Sequence, residues 1–246
     1  ICYMSDSLVI IPTYNERENI EKIISRISSL EKKYDILVVD DASPDGTQGI
    51  ILSLQKKNKR IFLLKRNAKL GLGTAYIDGF RWGLKKNYEY FFEMDADFSH
   101  NPDDLIRLYN ACEIDGYDLS IGSRYLGGLV NVINWPIMRV LMSYFASRYV
   151  KIITGLPIDD ATAGFKCYKR NLIITILNSK ISFIGYAFQI EMKFKAWKYG
   201  FKIKEIPVIF KDRSNGVSKM STSIFYEAFF GVIYLKLASF FKSYKR

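Results

Sequence analysis

Cysteine and histidine are scarce in this sequence, which excludes several kinds of site. Only three cysteines and one histidine occur among the 246 residues. The cysteines, at positions 2, 112 and 167, lie far apart and form no C-x-x-C pair. This spacing argues against a structural zinc site and against a disulfide scaffold, and it fits a reducing compartment.

The sequence also lacks an uncharged apolar run long enough to span a bilayer. The most apolar stretch, residues 224–241, contains Glu227 and Lys236, whereas a spanning helix needs about 20 nearly uncharged residues. We interpret residues 220–246 as a C-terminal amphipathic helical region, both apolar and basic. Such a helix either lies in the headgroup layer of a membrane or packs on the preceding domain, and its sequence is compatible with both.

Charge is distributed unevenly along the chain, whose formal net charge is +11. Residues 1–120 carry 16 basic and 19 acidic residues, and residues 121–246 carry 20 basic and 6 acidic ones. The second half either meets an anionic partner, a nucleic acid or a membrane surface, or simply has a solvated basic surface. Because no nucleic-acid-binding motif occurs, a basic nucleic-acid-binding module is only a remote alternative, and we expect no nucleic acid partner.

Strand-like and helix-like segments alternate through the first half of the chain. Short β-branched runs are typical of buried strands, and apolar residues at helical spacing follow them. The predicted strands are residues 8–11, 36–39, 61–64, 90–94 and 119–121, and the predicted helices begin near residues 16, 47, 73 and 102. This alternation predicts an α/β domain at residues 1–219 with a mostly parallel sheet flanked by helices.

Acidic residues follow two of the predicted strands, where ligands of such sheets bind. Asp95 and Asp97 come directly after the fourth strand, and paired carboxylates can hold Mg²⁺ or Mn²⁺ while substrate phosphates complete the coordination shell. Such a metal neutralises the charge that develops on a departing diphosphate. Asp40 and Asp41 end the second strand, where an acidic residue contacts a ribose or base, or simply forms the turn.

Eight motifs occur in order along residues 8–219. They are PTYNEREN at 12–19, VVDDASPDGT at 38–47, LGLGTAY at 70–76, MDADFSH at 94–100, GSRY at 122–125, AGF at 163–165, GYAFQIE at 185–191 and DRSNGVSK at 212–219. Together they resemble the dolichyl-phosphate mannose synthase family, whose members are inverting family 2 glycosyltransferases. The resemblance implies the GT-A fold, a Rossmann-like domain that binds a nucleotide sugar.

The resemblance assigns a donor side to these motifs. It implies a nucleoside pocket framed by Pro12, Tyr14, Glu16, Val39 and Asp41. It implies that the metal and diphosphate are held by Asp95, the Ala96 backbone and Asp97. Ser99 stands where some relatives carry Gln as a further metal-side ligand, and Lys219 corresponds to a cation near the donor or its phosphates.

The resemblance assigns the acceptor phosphate to Arg124, Arg139, Ser143 and Arg213. Arg124 and Arg213 also follow strand-like runs, and arginine can clamp phosphate oxygens with paired donors. A lipid phosphate is already anionic at neutral pH, so it needs no general base, and His100 is expected to have a capping or supporting role. We expect Asp97, Arg124 and Arg213 to be the catalytic residues, which align the two anions and screen their repulsion.

These assignments predict transfer of mannose from GDP-mannose to dolichyl or polyprenyl phosphate, which gives a β-linked product. UDP-glucose, or another nucleotide sugar, is the alternative donor. A saccharide hydroxyl acceptor would require a base carboxylate late in the chain, and Asp212 is the only nearby candidate. The chain resembles the shorter relatives, which rely on small membrane subunits, so we expect a peripheral protein at the cytoplasmic face of a membrane.

Overall fold

The computed structural model describes residues 5–185, 187–212 and 222–244, with the backbone alone for residues 222–228. Two predicted site residues, Arg213 and Lys219, lie outside the described residues. The strands are β1 (Ser7–Thr13), β2 (Asp35–Asp40), β3 (Ile61–Lys65), β4 (Tyr90–Glu93), β5 (Leu119–Ser123), β6 (Val132–Ile133), β7 (Lys166–Lys169), β8 (Ile203–Pro207) and β9 (Phe210–Lys211). The α-helices are α1 (Ile20–Ser29), α2 (Thr47–Lys57), α3 (Leu72–Leu84), α4 (Leu105–Glu113), α5 (Ile137–Thr154), α6 (Arg170–Leu177), α7 (Ala187–Lys198) and α8 (Thr222–Phe241).

Seven of the strands form one sheet in the order β3-β2-β1-β4-β7-β5-β8. Strand β7 is antiparallel to both of its neighbours, and every other neighbouring pair is parallel. The mostly parallel sheet and the five predicted strands are therefore confirmed. The short strands β6 and β9 pair with each other in parallel, apart from the main sheet.

The first helix begins later than its sequence predicts, at Ile20 rather than at Glu16. The amide of Glu16 donates to Thr47 Oγ1 at 3.2 Å, and the carbonyl of Glu16 accepts from the amides of Asn19 and Ile20. Residues 16–19 therefore form a turn that joins the end of β1 to the start of α2. The acidic residue in the first turn of α1 is Glu21.

Apolar side chains cover both faces of the sheet and form two clusters. One face is covered by α1, α2 and α4, and α1 buries Ile20, Ile23, Ile24 and Ile27 there. The other face carries the larger cluster, to which α3, α6 and α7 contribute. Burying an apolar side chain of this size contributes about 1.5–3 kcal/mol, so these two layers stabilise the sheet.

The C-terminal helix α8 packs on α5 and α7, with Val232 and Leu235 buried in the larger cluster. The predicted helix is thus present, and one of its faces is buried against the domain. Phe230 and Phe241, in contrast, are 62% and 91% exposed. Across the described part of the chain, we find no helix with the length and apolar character needed to cross a membrane.

Candidate active site

The carboxyl ends of β2, β1 and β4 lie side by side at one edge of the sheet. A non-glycine residue with positive φ follows each of them, namely Asn15 (φ 58°), Ala42 (φ 56°) and Phe98 (φ 60°). Left-handed backbone costs roughly 1–2 kcal/mol at residues such as Ala42 and Phe98, and strained residues concentrate at functional sites. These sharp turns keep three of the polar motifs at a single edge.

Asp40, the last residue of β2, holds a turn together. Its carboxylate is fully buried and accepts hydrogen bonds from Thr13 Oγ1 at 2.9 Å, from the amide and hydroxyl of Ser43, and from Gln48 Nε2 at 2.6 Å. Thr13 is the last residue of β1, and the other donors follow β2. Asp40 therefore has the turn-forming role that was the alternative to nucleotide binding.

Asp41 contacts the segment that follows β3. Its Oδ2 accepts from the Leu70 amide at 3.2 Å, and its Oδ1 lies 2.9 Å from Arg66 Nη1. Burial raises the pKa of Asp41, although the Arg66 guanidinium opposes that rise. Asp41 thus remains the acidic residue at this edge that suits a nucleoside contact, and sequence reasoning missed its partner Arg66.

The other predicted nucleoside residues lie around the end of β1. Tyr14 is half-buried, with Lys69 Nζ 4.6 Å from the centre of its ring, and Glu16 Oε2 accepts from Asn19 Nδ2 at 3.0 Å. Pro12 pairs with Val39 in the sheet register. Because the Val39 side chain is fully buried in the core, a nucleoside would meet the backbone of Val39 and not its side chain.

Asp95, Ala96 and Asp97 follow β4 as predicted. Asp97 is 5% exposed, and its Oδ1 accepts from the Ser99 amide at 3.0 Å. Ser99 itself is 2% exposed. The hydrogen bond from its backbone amide orients the Asp97 carboxylate. Among the described residues, no group of three or more His, Cys, Asp or Glu side chains is placed to hold a metal.

A pair of carboxylates without further protein ligands suits Mg²⁺ or Mn²⁺. Hard divalent cations of this kind bind through one or two carboxylates and take substrate phosphates and water for the remaining positions. Asp95 is 34% exposed at its side chain and Asp97 is nearly buried, which leaves one accessible carboxylate beside one fixed carboxylate. The donor set therefore fits a metal that arrives together with a diphosphate.

His100 contacts the backbone of the segment that follows β4. Its Nδ1 accepts a hydrogen bond from the Asp95 amide at 3.2 Å, and its ring stacks on Phe165 with 4.9 Å between ring centres. Burial lowers the pKa of His100 to about 4, so the ring is neutral at pH 7. The contact with the Asp95 amide agrees with a supporting role. The cap of the following turn is Asn101, whose side chain accepts from the Asp103 amide.

A fully buried charged network lies beneath the aspartate pair and was not predicted. Glu93, two residues before Asp95, accepts from Tyr168 OH at 2.8 Å and from Gln189 Nε2 at 2.8 Å, and it pairs with Lys166 Nζ at 2.9 Å. Breaking a buried ion pair costs about 3–5 kcal/mol, because the remaining charge stays buried without its partner. The network therefore holds the end of β4 rigidly against β7 and α7.

Arg124, which follows β5, is held by a buried carboxylate. Its Nε and Nη2 each lie 2.7 Å from an oxygen of Asp160, and Nη2 also donates to Thr162 Oγ1 at 2.7 Å. Arg124 is 4% exposed and Asp160 is fully buried. These contacts fix the guanidinium in place. They favour a structural role for Arg124.

Arg139 lies in a more open position, in the first turn of α5. Its Nη1 is 2.6 Å from Asp212 Oδ1, and its guanidinium lies 4.1 Å from the centre of the Trp135 ring. Trp135 also faces Arg124 at 5.5 Å, so one indole lies between the two predicted phosphate-binding arginines. Asp212, the candidate base for a hydroxyl acceptor, is engaged in this ion pair.

Two hydrogen-bond donors beside Arg139 are buried. Within the described residues, neither Trp135 Nε1 nor Ser143 Oγ has a hydrogen-bond partner. Buried polar groups without partners are rare and call for an explanation such as an absent ligand. The structure thus brings Arg124 and Arg139 to one indole ring, that of Trp135, which had no predicted role. Ser143 lies one helical turn after Arg139 on α5.

The sheet and these two clusters agree with the GT-A fold that the sequence motifs predict. Glycosyl transferase family 2 matches residues 8–177, and the chain belongs to that family. It is 45% identical over 228 residues to a polyprenol monophosphomannose synthase of Mycolicibacterium smegmatis, covering 92% of this chain and 85% of that protein. It is 42% identical over 232 residues to an undecaprenyl-phosphate mannosyltransferase of Micrococcus luteus, covering 94% of each.

Solved structures confirm the fold. A mannosyltransferase from Pyrobaculum calidifontis, in complex with GDP-Man and Mn²⁺, matches with a TM-score of 0.60 and 18% identity, covering 98% of this chain and 66% of that chain. A glucosyl-3-phosphoglycerate synthase from Mycobacterium tuberculosis, in complex with Mg²⁺ and UDP, matches with a TM-score of 0.66 and 19% identity, covering 94% and 78%. The family and the fold that the motifs predict are therefore confirmed.

Proposed function

We propose that this chain transfers mannose from GDP-mannose to the phosphate of a polyprenyl lipid, such as dolichyl phosphate. The observation that carries the proposal is the placement of Arg139, Trp135 and Ser143 beside an exposed apolar surface of α5. A cationic cluster with buried donors suits a phosphate, and the adjoining apolar surface suits a lipid chain. The names of the two curated relatives fit the same pair of substrates.

The donor side is built by the segments after β1, β2 and β4. Asp95 and Asp97 would hold Mg²⁺ or Mn²⁺, which supplies positive charge for the departing diphosphate when it is bound. Tyr14 and Asp41 would contact the nucleoside, and Lys219 is proposed to bind on the same side. The network around Glu93 keeps the aspartate pair in position, so little reorganisation is needed during the reaction.

The acceptor side needs orientation and charge screening but no base. Arg139, Ser143 and Trp135 Nε1 would bind the lipid phosphate, with Arg213 as a further proposed contact. A phosphate oxygen would attack the anomeric carbon while the bond to GDP breaks, and an α-linked donor then gives a β-linked product. The neutral, buried His100 and the paired Asp212 are both compatible with a reaction that moves no proton.

Helices α5 and α8 form the surface that we propose to face the membrane. Tyr149 and Phe229 join them, with ring centres 4.9 Å apart and a hydrogen bond from Tyr149 OH to the Phe229 carbonyl. Among the side chains that the structure describes on the two helices, the large apolar ones that are exposed are Ile137, Met138, Leu141, Met142, Phe145, Ile152, Phe229, Phe230, Tyr234, Leu237, Phe240 and Phe241. An apolar patch of this extent is typical of a membrane or protein interface.

We accordingly propose peripheral binding at the cytoplasmic face of a membrane, with small membrane subunits as further candidate partners of the same surface. Flotation with vesicles that contain polyprenyl phosphate but no protein distinguishes direct binding to lipid from binding through a membrane subunit. If the purified chain floats with vesicles by itself, the lipid is sufficient. If it floats only after a membrane subunit has been added, the subunit is required.

A transfer assay tests the reaction itself. It crosses GDP-mannose, UDP-glucose and UDP-GlcNAc with polyprenyl phosphates of short and long chain length. We expect a mannolipid only with GDP-mannose. A product formed preferentially from UDP-glucose would support the alternative donor, and a product formed only on saccharide hydroxyl groups would refute the lipid acceptor.

A further inference from the structure

Arg66 is a buried arginine at the donor edge that has no role in the reaction described so far. It follows β3 directly, and it is 7% exposed. Its Nη1 lies 2.9 Å from Asp41 Oδ1, its Nε lies 3.5 Å from Asp78 Oδ2, and its Nη2 donates to Thr74 Oγ1 at 2.5 Å. One guanidinium therefore joins the end of β2 to the first two turns of α3.

The backbone between Arg66 and α3 is tied to Asp40 at one end and to Asp41 at the other. The Arg66 amide donates to the Asp40 carbonyl at 2.9 Å, and the Leu70 amide donates to Asp41 Oδ2 at 3.2 Å. Between these two anchor points, Lys69 Nζ lies 4.6 Å from the centre of the Tyr14 ring. Residues 66–71 thus form a strap that contacts both Asp41 and Tyr14, the two side chains expected to meet the nucleoside.

The polar atoms of this pair are incompletely satisfied. Asp41 Oδ1, Arg66 Nε and Arg66 Nη1 are buried and lack a hydrogen-bond partner within the described residues, although the charges are close enough to attract each other. The attraction between the two buried charges therefore holds the pair together. Thr74 and Asp78 orient the Arg66 guanidinium, and the Leu70 amide orients the Asp41 carboxylate.

We propose that Arg66 is a positioning residue for the donor, which sets nucleotide affinity by holding Asp41 and the strap of residues 66–71 in place. This inference rests on the proposed function, because it takes the edge around Asp41 as the nucleoside pocket. Arg66 would act through Asp41 and the strap, so its loss should weaken donor binding. The transfer step at saturating donor should remain close to normal.

The opposite end of the same strands provides a matched control. Arg60 precedes β3, and its Nη1 lies 2.9 Å from Oδ1 of Asp35, which is 1% exposed at the start of β2. Both arginines thus pair with a nearly buried aspartate across β2 and β3, but only Arg66 lies at the donor edge. Arg60→Met should lower stability while leaving nucleotide binding intact.

Isothermal titration calorimetry with GDP and Mg²⁺ tests the proposal on the wild type, Arg66→Met, Arg66→Lys and Arg60→Met. For Arg66→Met we expect the Kd to rise about tenfold, which lies within the range measured for residues in contact. We expect Arg66→Lys to be intermediate, since it keeps a cation beside Asp41. We expect Arg60→Met to stay within about twofold of the wild type.

A second comparison asks whether Arg66 acts through Asp41. If it does, Asp41→Asn combined with Arg66→Met should weaken GDP binding no more than the stronger single change, because coupled residues are not additive. In the transfer assay, the KM for GDP-mannose should rise for Arg66→Met while kcat stays within about threefold.

Two results would overturn the inference. One is an unchanged Kd for GDP in Arg66→Met, and the other is an equal loss of affinity in Arg60→Met, which would indicate general destabilisation. A wild type that binds GDP but transfers no mannose would instead refute the proposed function, and the comparison of Kd values would still decide the role of Arg66.

Discussion

Arg124 and Arg139 share one predicted role, binding of the acceptor phosphate, yet their surroundings predict different effects when each is replaced by methionine. Arg124 is bound by both oxygens of the fully buried Asp160. Removing one partner of such a pair costs about 3–5 kcal/mol. Since 1 kcal/mol shifts the Tm of a chain this size by about 2–4 °C, Arg124→Met should lower the Tm by roughly 6–20 °C.

Arg139 is paired with Asp212, and both side chains are about one-third exposed. Partly exposed ion pairs contribute only about 0–1 kcal/mol, so Arg139→Met should lower the Tm by no more than about 4 °C. The same change removes a proposed contact to the acceptor phosphate. Because charge-assisted hydrogen bonds contribute about 1.5–3 kcal/mol, the KM for polyprenyl phosphate should rise at least about tenfold.

Thermal unfolding and steady-state kinetics on the two variants check both parts. Asp160→Asn combined with Arg124→Met is the control, because it removes the carboxylate that Arg124→Met would leave buried without its cation. It should recover part of the lost Tm. If Arg124→Met melted like the wild type while its KM for the lipid phosphate rose, Arg124 would be a phosphate ligand and the structural interpretation would be refuted.

Further predictions concern the metal pair, the indole and the pH dependence. Asp97→Ala should abolish transfer by removing metal ligation, and residual activity that EDTA does not change would contradict this assignment. Trp135→Phe keeps an aromatic ring beside Arg139 but removes Nε1, so it should raise the KM for lipid phosphate less than Trp135→Leu does; equal effects would exclude a role for the ring. Burial works to raise the pKa of Asp160, but the Arg124 ion pair outweighs burial and the pKa is lowered. The pair therefore stabilises the fold fully above the ordinary carboxyl pKa of 3.8 and loses this contribution as the pH falls through the lower folded value. Urea unfolding measures the free energy of unfolding of the wild type and of the variant that combines Arg124→Met with Asp160→Asn. The difference between the two values should shrink below about pH 4, and a constant difference would contradict this ion-pair account.

Local sequence was sufficient for the strands of the first half and for the aspartate pair. Each of these strands is a short apolar run. Neighbouring helices and strands bury its side chains, so the run itself is enough to predict the strand. Asp95 and Asp97 follow such a run within a few residues, so their place at the edge of the sheet was predictable.

Helix α7 shows where local patterns fail. Residues 187–196 are all buried, including Gln189, Glu191, Lys193 and Lys195, so the helix has no polar face that periodicity could detect. These polar side chains are satisfied by distant partners. Lys193 Nζ, for instance, donates to the carbonyls of Ala161 and Ala163 at 2.8 and 2.6 Å.

By itself, the sequence determined the family, the mostly parallel sheet and the aspartate pair, because short apolar runs and contiguous motifs encode them. Only the tertiary structure decided which charges are paired. Strand β7 inserts antiparallel between β4 and β5, and this brings Lys166 to Glu93 across 73 positions of the sequence. Asp41 with Arg66 and Arg124 with Asp160 likewise meet only after the chain has folded. The physical reason is that an ion pair depends on distance in space, which composition and spacing do not specify.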